Sequence, residues 1–277
     1  MSTGTRLREG RRRRGRSRGQ GRAIYLLPNI ITSTSLLLGF WSIVMSIQHS
    51  FERAALFIIL AGVCDMLDGR IARATHSTSR FGEEYDSISD MVSFGMAPAL
   101  LVYNWVLQPL GNRGWLIAAL FALCAALRLA RFNVQTLREE QRHYQGIPST
   151  IGGGIVASTV FFTAWLGLVP PFPRPAGIAI TTGFAILSLL MVSPIPYPSW
   201  KMAHIPRRHA YPALVAIVLG GVGIVLHYEW MLFLIGMIFV ASGPVLWWMK
   251  RRNPVSAAES DLENVREERT TESHADV

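Results

Sequence analysis

The chain has 277 residues, of which 50% are hydrophobic and only 16% charged, and it carries a formal net charge of +9. A soluble globular domain holds nearer a quarter of charged residues, so this balance excludes an ordinary water-soluble enzyme. Eight apolar runs, each close to the roughly 20 residues that cross a bilayer as a helix, predict an all-α, polytopic membrane protein.

Residues 1–23 form a basic tail, read as disordered. Its first 22 positions hold nine arginines and, apart from Glu9, no acid. No aromatic or motif context accompanies the arginines, so the tail is read as an orientation signal and anionic-lipid anchor rather than a nucleic-acid arm. The apolar run that follows is too long for a signal peptide and is not trailed by a small-residue cleavage site. It is therefore read as a retained first span.

The spans are predicted at 30–47, 54–70, 91–108, 115–131, 149–168, 176–193, 210–226 and 230–249. Asn29 and Thr32 stand three apart at the start of the first, after Pro28, as a helix start signal or as hydrogen-bonding groups for a bound ligand. Gln145, Ser149 and Thr150 flank Pro148 at the entry to the fifth, where capping is the expected role. Cys64 and Cys124 fall within spans and predict apolar packing rather than a disulfide or zinc site. Residues 253–277 read as a polar, disordered tail. Arginines and lysines gather on alternate loops, leaving only Arg53, Arg113 and Arg174 on the other side. Both termini are thereby predicted to face the cytoplasm.

The chemistry is concentrated in CDMLDGRIARATHSTSRFGEEYDSISD, which contains Asp65, Asp68, Asp86 and Asp90. A carboxylate in or beside a membrane span is costly and usually has a partner and a task. Asp65 and Asp68 are three apart and Asp86 and Asp90 four apart, so each pair shares one helix face. The residues between the pairs suffice to turn the chain at the membrane surface. Two adjacent helices would then present two carboxylates each, and all-oxygen ligation favours hard cations such as Mg²⁺, Mn²⁺ or Ca²⁺. Small residues, among them Gly69, Ala72, Gly82, Ser87 and Ser89, serve either close packing or ligand access. Arg73 and Arg80 suit phosphate oxygens. Such a site would take a pyrophosphate: two metals could bridge its oxygens and lower a nucleophile's pKa, leaving one carboxylate to accept a proton.

The pattern Asp65-x2-Asp68-Gly69-x2-Ala72-Arg73-x8-Gly82-x3-Asp86-x3-Asp90 resembles the signature of the CDP-alcohol phosphotransferase family at all eight positions. The resemblance implies a six-helix core, here 24–205, followed by an additional helix pair at 206–252. It implies that Asp65, Asp68 and Asp86 bind two divalent metal ions, Mg²⁺ or Mn²⁺. Asp90 would contact a metal and act as general base, with Gly69, Ala72, Arg73 and Gly82 along the CDP moiety. Asn29 and Thr32 are candidates for the same CDP-lipid. YLLPNIIT, SDMVSFGMAPALLVY, LRLARFN, GIPST and MVSPIPYPSWK are similar to stretches of the membrane-integral phosphatidylserine synthases within that family. That likeness implies CDP-diacylglycerol and L-serine as substrates, a homodimer and an inner-membrane location.

Arg128 and Arg131, three apart at the end of the fourth span, are read either as positive-inside residues or as partners for the serine carboxylate. Lys201 is a third serine-binding candidate. Sister enzymes using glycerol phosphate, inositol phosphate or choline are the alternatives within the family. A cation carrier is the rival from another class. A carrier would hold its acids near the bilayer midplane, whereas these four are predicted at the cytoplasmic end, beside arginines.

Overall fold

The computed structural model describes residues 28–75, 79–136, 144–197, 221, 223 and 226–252. Lys201, both tails and almost all of the predicted 210–226 span lie outside the described residues. Among the described residues seven long helices follow in order: α1 Pro28–Ile47, α2 Phe51–Ala74, α3 Arg80–Leu110, α4 Asn112–Thr136, α5 Ser149–Trp165, α6 Arg174–Val192 and α7 Tyr228–Arg252. Of these, α1, α3, α4, α6 and α7 are long and apolar enough to cross a membrane. The chain is an integral membrane protein of all-α type.

The structure corrects the extents of several predicted spans. Apolar runs locate the part of a helix that meets lipid, not where the helix ends. Thus α2 continues through Arg70 and Arg73 to Ala74, and α3 begins at Arg80 rather than at 91. The fifth helix stops at Trp165 rather than 168, because Gly167 takes φ +71 just past its end. At 17 residues α5 is about 26 Å long, and α2 carries too many charges to rank as an apolar span.

Helix α2 shows how packing works without water outside. Ala54, Ala55, Ile58 and Ala61 are buried at 0–1% exposure, while Leu56, Leu60, Val63 and Leu67 on its other face are exposed. Both faces are apolar, so the helix has an inner stripe of small residues and an outer stripe suited to lipid. Asp65 and Asp68 continue the inner stripe by steps of four and three.

Serine hydroxyls join the helices. Ser35 of α1 donates to the Ala61 carbonyl at 3.0 Å and Ser42 to that of Ala54 at 2.8 Å, both in α2. Ser93 of α3 donates to the Ser35 carbonyl at 3.0 Å. At Gly39 a Cβ would sit 2.7 Å from the Ser93 Cα, so α1 and α3 approach backbone to backbone. Within α3, Met91–Met96 and Tyr103–Leu107 are π-helical, the first beginning directly after Asp90. Elsewhere Phe121 stacks on Phe184 between α4 and α6, and Phe162 on Phe233 between α5 and α7. Two short strands, β1 Tyr144–Gln145 and β2 Pro196–Tyr197, pair antiparallel and tie the approach to α5 to the chain leaving α6.

Candidate active site

The four aspartates come from two helices packed through α1. Asp65 and Asp68 face inward near the end of α2, and Asp86 and Asp90 lie in the first turns of α3. One carboxylate oxygen from each of Asp65, Asp68 and Asp86 falls within 4.8 Å of the others. Asp90 is set beside Asp65, with its side chain paired to that carboxylate. Two helices thus bring Asp65, Asp68 and Asp86 to one point, and Asp90, expected there as the fourth, stands beside Asp65 at its edge.

Three anionic oxygens at this spacing repel one another strongly unless a cation lies among them. Asp68 is 4% exposed, so water cannot screen the repulsion there. The donor set is all oxygen and hard, and it fits a divalent cation of the Mg²⁺, Mn²⁺ or Ca²⁺ kind.

Local structure explains the rest of the arrangement. Ser79 caps α3, its hydroxyl accepting from the Gly82 N–H at 3.1 Å. A Cβ on Gly82 would lie 3.6 Å from Asn29 Oδ1, which brings the start of α1 beside this turn. Arg73 lies one turn beyond Gly69, its guanidinium 3.9 Å from where a Gly69 Cβ would be. Both Arg73 and Arg80 are exposed at this end of the molecule, and Ala72 is half-buried.

Several side chains take parts that the sequence did not disclose. Thr32 is buried and donates to Asp68 Oδ2 at 2.8 Å. Ser89, between Asp86 and Asp90, donates to the Thr32 carbonyl at 3.2 Å. For Ser149 and Thr150 the expected capping at the start of α5 is overturned, while the Gln145 side chain lies outside what is described. Pro148 holds the cap position with no side-chain bond. Ser149 instead accepts from Arg128 Nη1 at 3.1 Å, and the Thr150 hydroxyl faces Asp65. Arg128 also lies over the Phe132 ring at 5.8 Å. Thus Arg128 reaches the residue next to Thr150, at the edge of the acid cluster, whereas Arg131 is exposed. Asn133 of α4 exchanges hydrogen bonds with Ser87 of α3, and Ser33 with Tyr85 at 2.8 Å. No periodicity marks these pairs, since each joins distant parts of the chain.

A separate cavity of about 1260 Å³ lies at the opposite ends of these helices, lined among others by His49, Arg53, Asn104, Trp105 and Arg174. Asp65 is twelve residues along α2 from Arg53, about 18 Å, so that cavity is not part of the carboxylate site.

The sequence model of the CDP-alcohol phosphatidyltransferases matches residues 25–193, which contain all four acids and helices α1 to α6. The chain belongs to this family of transferases. A Helicobacter pylori (strain J99) protein named CDP-diacylglycerol–serine O-phosphatidyltransferase is 37% identical over 179 residues, 64% of this chain and 74% of the relative. A Methanocaldococcus jannaschii protein of the same name is 35% identical over 218 residues, 79% of this chain and 94% of the relative. An archaetidylserine synthase of Methanothermobacter thermautotrophicus is 32% identical over 176 residues, 62% and 69% respectively. As a family member the chain has its acid cluster where two of the matched helices, α2 and α3, meet.

Proposed function

We propose that this protein transfers the phosphatidyl group of CDP-diacylglycerol to the hydroxyl of L-serine, giving phosphatidylserine and CMP. The observation that carries the chemistry is the convergence of Asp65, Asp68 and Asp86 within 4.8 Å, with Asp90 against Asp65. The choice of serine is supported by the names of the relatives.

Asp65, Asp68 and Asp86, with Asp90 at their edge, would hold two divalent cations, Mg²⁺ or Mn²⁺, which supply charge stabilisation for phosphate oxygens and a lowered pKa for an alcohol. Gly69, Ala72 and Gly82 leave room for the CDP moiety, Arg73 offers a guanidinium to its phosphates, and Asn29 stands beside Gly82. Asp90 takes the serine hydroxyl proton as the serine oxygen attacks the β-phosphorus. The bond from that phosphorus to CMP breaks, and CMP leaves with the electron pair. Arg128, held by Ser149 at the edge of the acids, pairs with the serine carboxylate. Arg131 and Lys201 are assigned to the same substrate.

The core is taken as 24–205, in the cytoplasmic membrane as a homodimer, with the acids and both termini on the cytoplasmic side. The arginine and lysine distribution supports that orientation. The deciding experiment incubates purified protein with CDP-diacylglycerol, Mn²⁺ and a panel of labelled alcohols. Label should enter lipid from serine, with CMP released in equal amount, and EDTA should stop it. Label entering from glycerol phosphate, inositol phosphate or choline instead would overturn the choice of alcohol. Full turnover in EDTA would overturn the metal reading.

A further inference from the structure

Thr32 belongs to α1, yet its strongest side-chain contact is with α2. Its hydroxyl has one proton and two acceptors in reach, Asp68 Oδ2 at 2.8 Å and the Pro28 carbonyl at 3.1 Å. The carboxylate is both the nearer and the charged acceptor, so it takes the larger share of the bond. Thr32 is itself gripped from the third helix, because buried Ser89 donates to its carbonyl. Ser89 lies between the two acids of α3. A continuous link therefore runs from Asp86 and Asp90 through Ser89 to Thr32, and on to Asp68.

We propose that Thr32 is a positioning residue that orients the Asp68 carboxylate for a divalent cation and, through Ser89, sets the register between the two acid-bearing helices. The inference rests on the metal-site reading given above. The physical need is specific. The last torsion of an aspartate, which sets the carboxylate plane, is broad and only loosely two-fold. Within α2 the backbone N–H of the adjacent Gly69 reaches the carboxylate, so Thr32 adds the hold that comes from another helix. A cation site requires that plane to be set before binding, and outer hydrogen bonds to the ligands do this in metal sites generally. Thr32 thereby acts on the acid, a part distinct from the helix start or CDP-lipid contact expected for it from sequence.

The test is Mn²⁺ binding to purified full-length protein in nanodiscs without CDP-lipid, followed by loss of the free-ion paramagnetic resonance signal. Thr32→Val keeps the branch and removes the donor, and it should weaken Mn²⁺ affinity about 10–100-fold. Thr32→Ser should stay near the parent, and Ser89→Ala should weaken binding in the same direction. Thr34→Val is the control: Thr34 makes a similar bond to its own helix, to the Ile30 carbonyl at 2.9 Å, on an exposed face. It should leave Mn²⁺ affinity unchanged. Parent-like Mn²⁺ affinity in Thr32→Val would overturn the proposal, and a loss of CDP-diacylglycerol affinity at saturating Mn²⁺ in that variant would make Thr32 a substrate contact. Equal loss in Thr32→Ser and Thr32→Val would also overturn it. A parent protein that binds no Mn²⁺ would remove the metal reading as a whole, a result distinct from failure of the positioning role alone.

Discussion

Asp68 and Asp90 carry the same functional group in different surroundings. Asp68 is buried, hydrogen-bonded by Thr32 and within the close trio of carboxylates. Asp90 is outside that trio and paired with Asp65. A group outside the closest ligand cluster can lose its charge with less damage to cation binding. Asp90→Asn should lower kcat about 10²–10⁴-fold, the usual share of a general base. It should also retain metal-dependent thermal stabilisation by CDP-diacylglycerol, whereas Asp68→Asn loses both. If Asp90→Asn loses the stabilisation as fully as Asp68→Asn does, Asp90 is a metal ligand and not the base. Arg128 is the second residue whose setting makes a prediction. Ser149 fixes its guanidinium beside the residue that faces Asp65, so Arg128→Ala should raise the KM for serine more than that for CDP-diacylglycerol. Steady-state kinetics with each substrate varied in turn would measure this, and unchanged KM values would leave Arg128 as a topology signal.

At the scale of elements, the site depends on how closely three helices approach. Gly39 and Ser93 let α1 and α3 meet at their backbones, and serine hydroxyls from α1 bond to α2 at two levels. Gly39→Ala would place a methyl 2.7 Å from the Ser93 Cα. Backbone cannot yield as a flexible side chain can, so overpacking of roughly 1–3 kcal/mol is expected. The melting temperature in detergent should fall, and a parent-like melt would show that the helices can separate without cost. The sequence made the helices legible but not their ends, because a lipid-facing run says nothing of the polar turns that extend beyond it. It also misread the start of α5. Ser149 and Thr150 follow a proline in a pattern that local rules assign to capping, and only the packing of α4 and α2 against α5 gives these hydroxyls other partners.

For the whole molecule, the acids gather at one end of the helices and the 1260 Å³ cavity opens at the other. Orientation then decides which compartment supplies the alcohol. Arg80 lies at the acid end, and Arg113 follows α3 at the far end; both are exposed. Arg113→Cys should react with a membrane-impermeant maleimide in intact cells, and Arg80→Cys only after permeabilisation. The parent, whose Cys64 and Cys124 lie within helices, provides the background. The reverse labelling pattern would put the site on the outer face.

Composition and hydrophobic runs by themselves determined that the chain is a helical membrane protein, because a bilayer imposes length and apolarity on any helix that crosses it. Fixed spacing determined which aspartates share a helix face, because that follows from 3.6 residues per turn. What tertiary structure alone decided is which groups meet across helices. Thr32 and Asp68 are 36 residues apart in the chain, Ser89 and Thr32 57, and Arg128 and Ser149 21. A hydrogen bond over such separations leaves no local pattern. It exists because small residues let α1, α2 and α3 pack at one distance and one register, and that geometry is a property of the assembled helices.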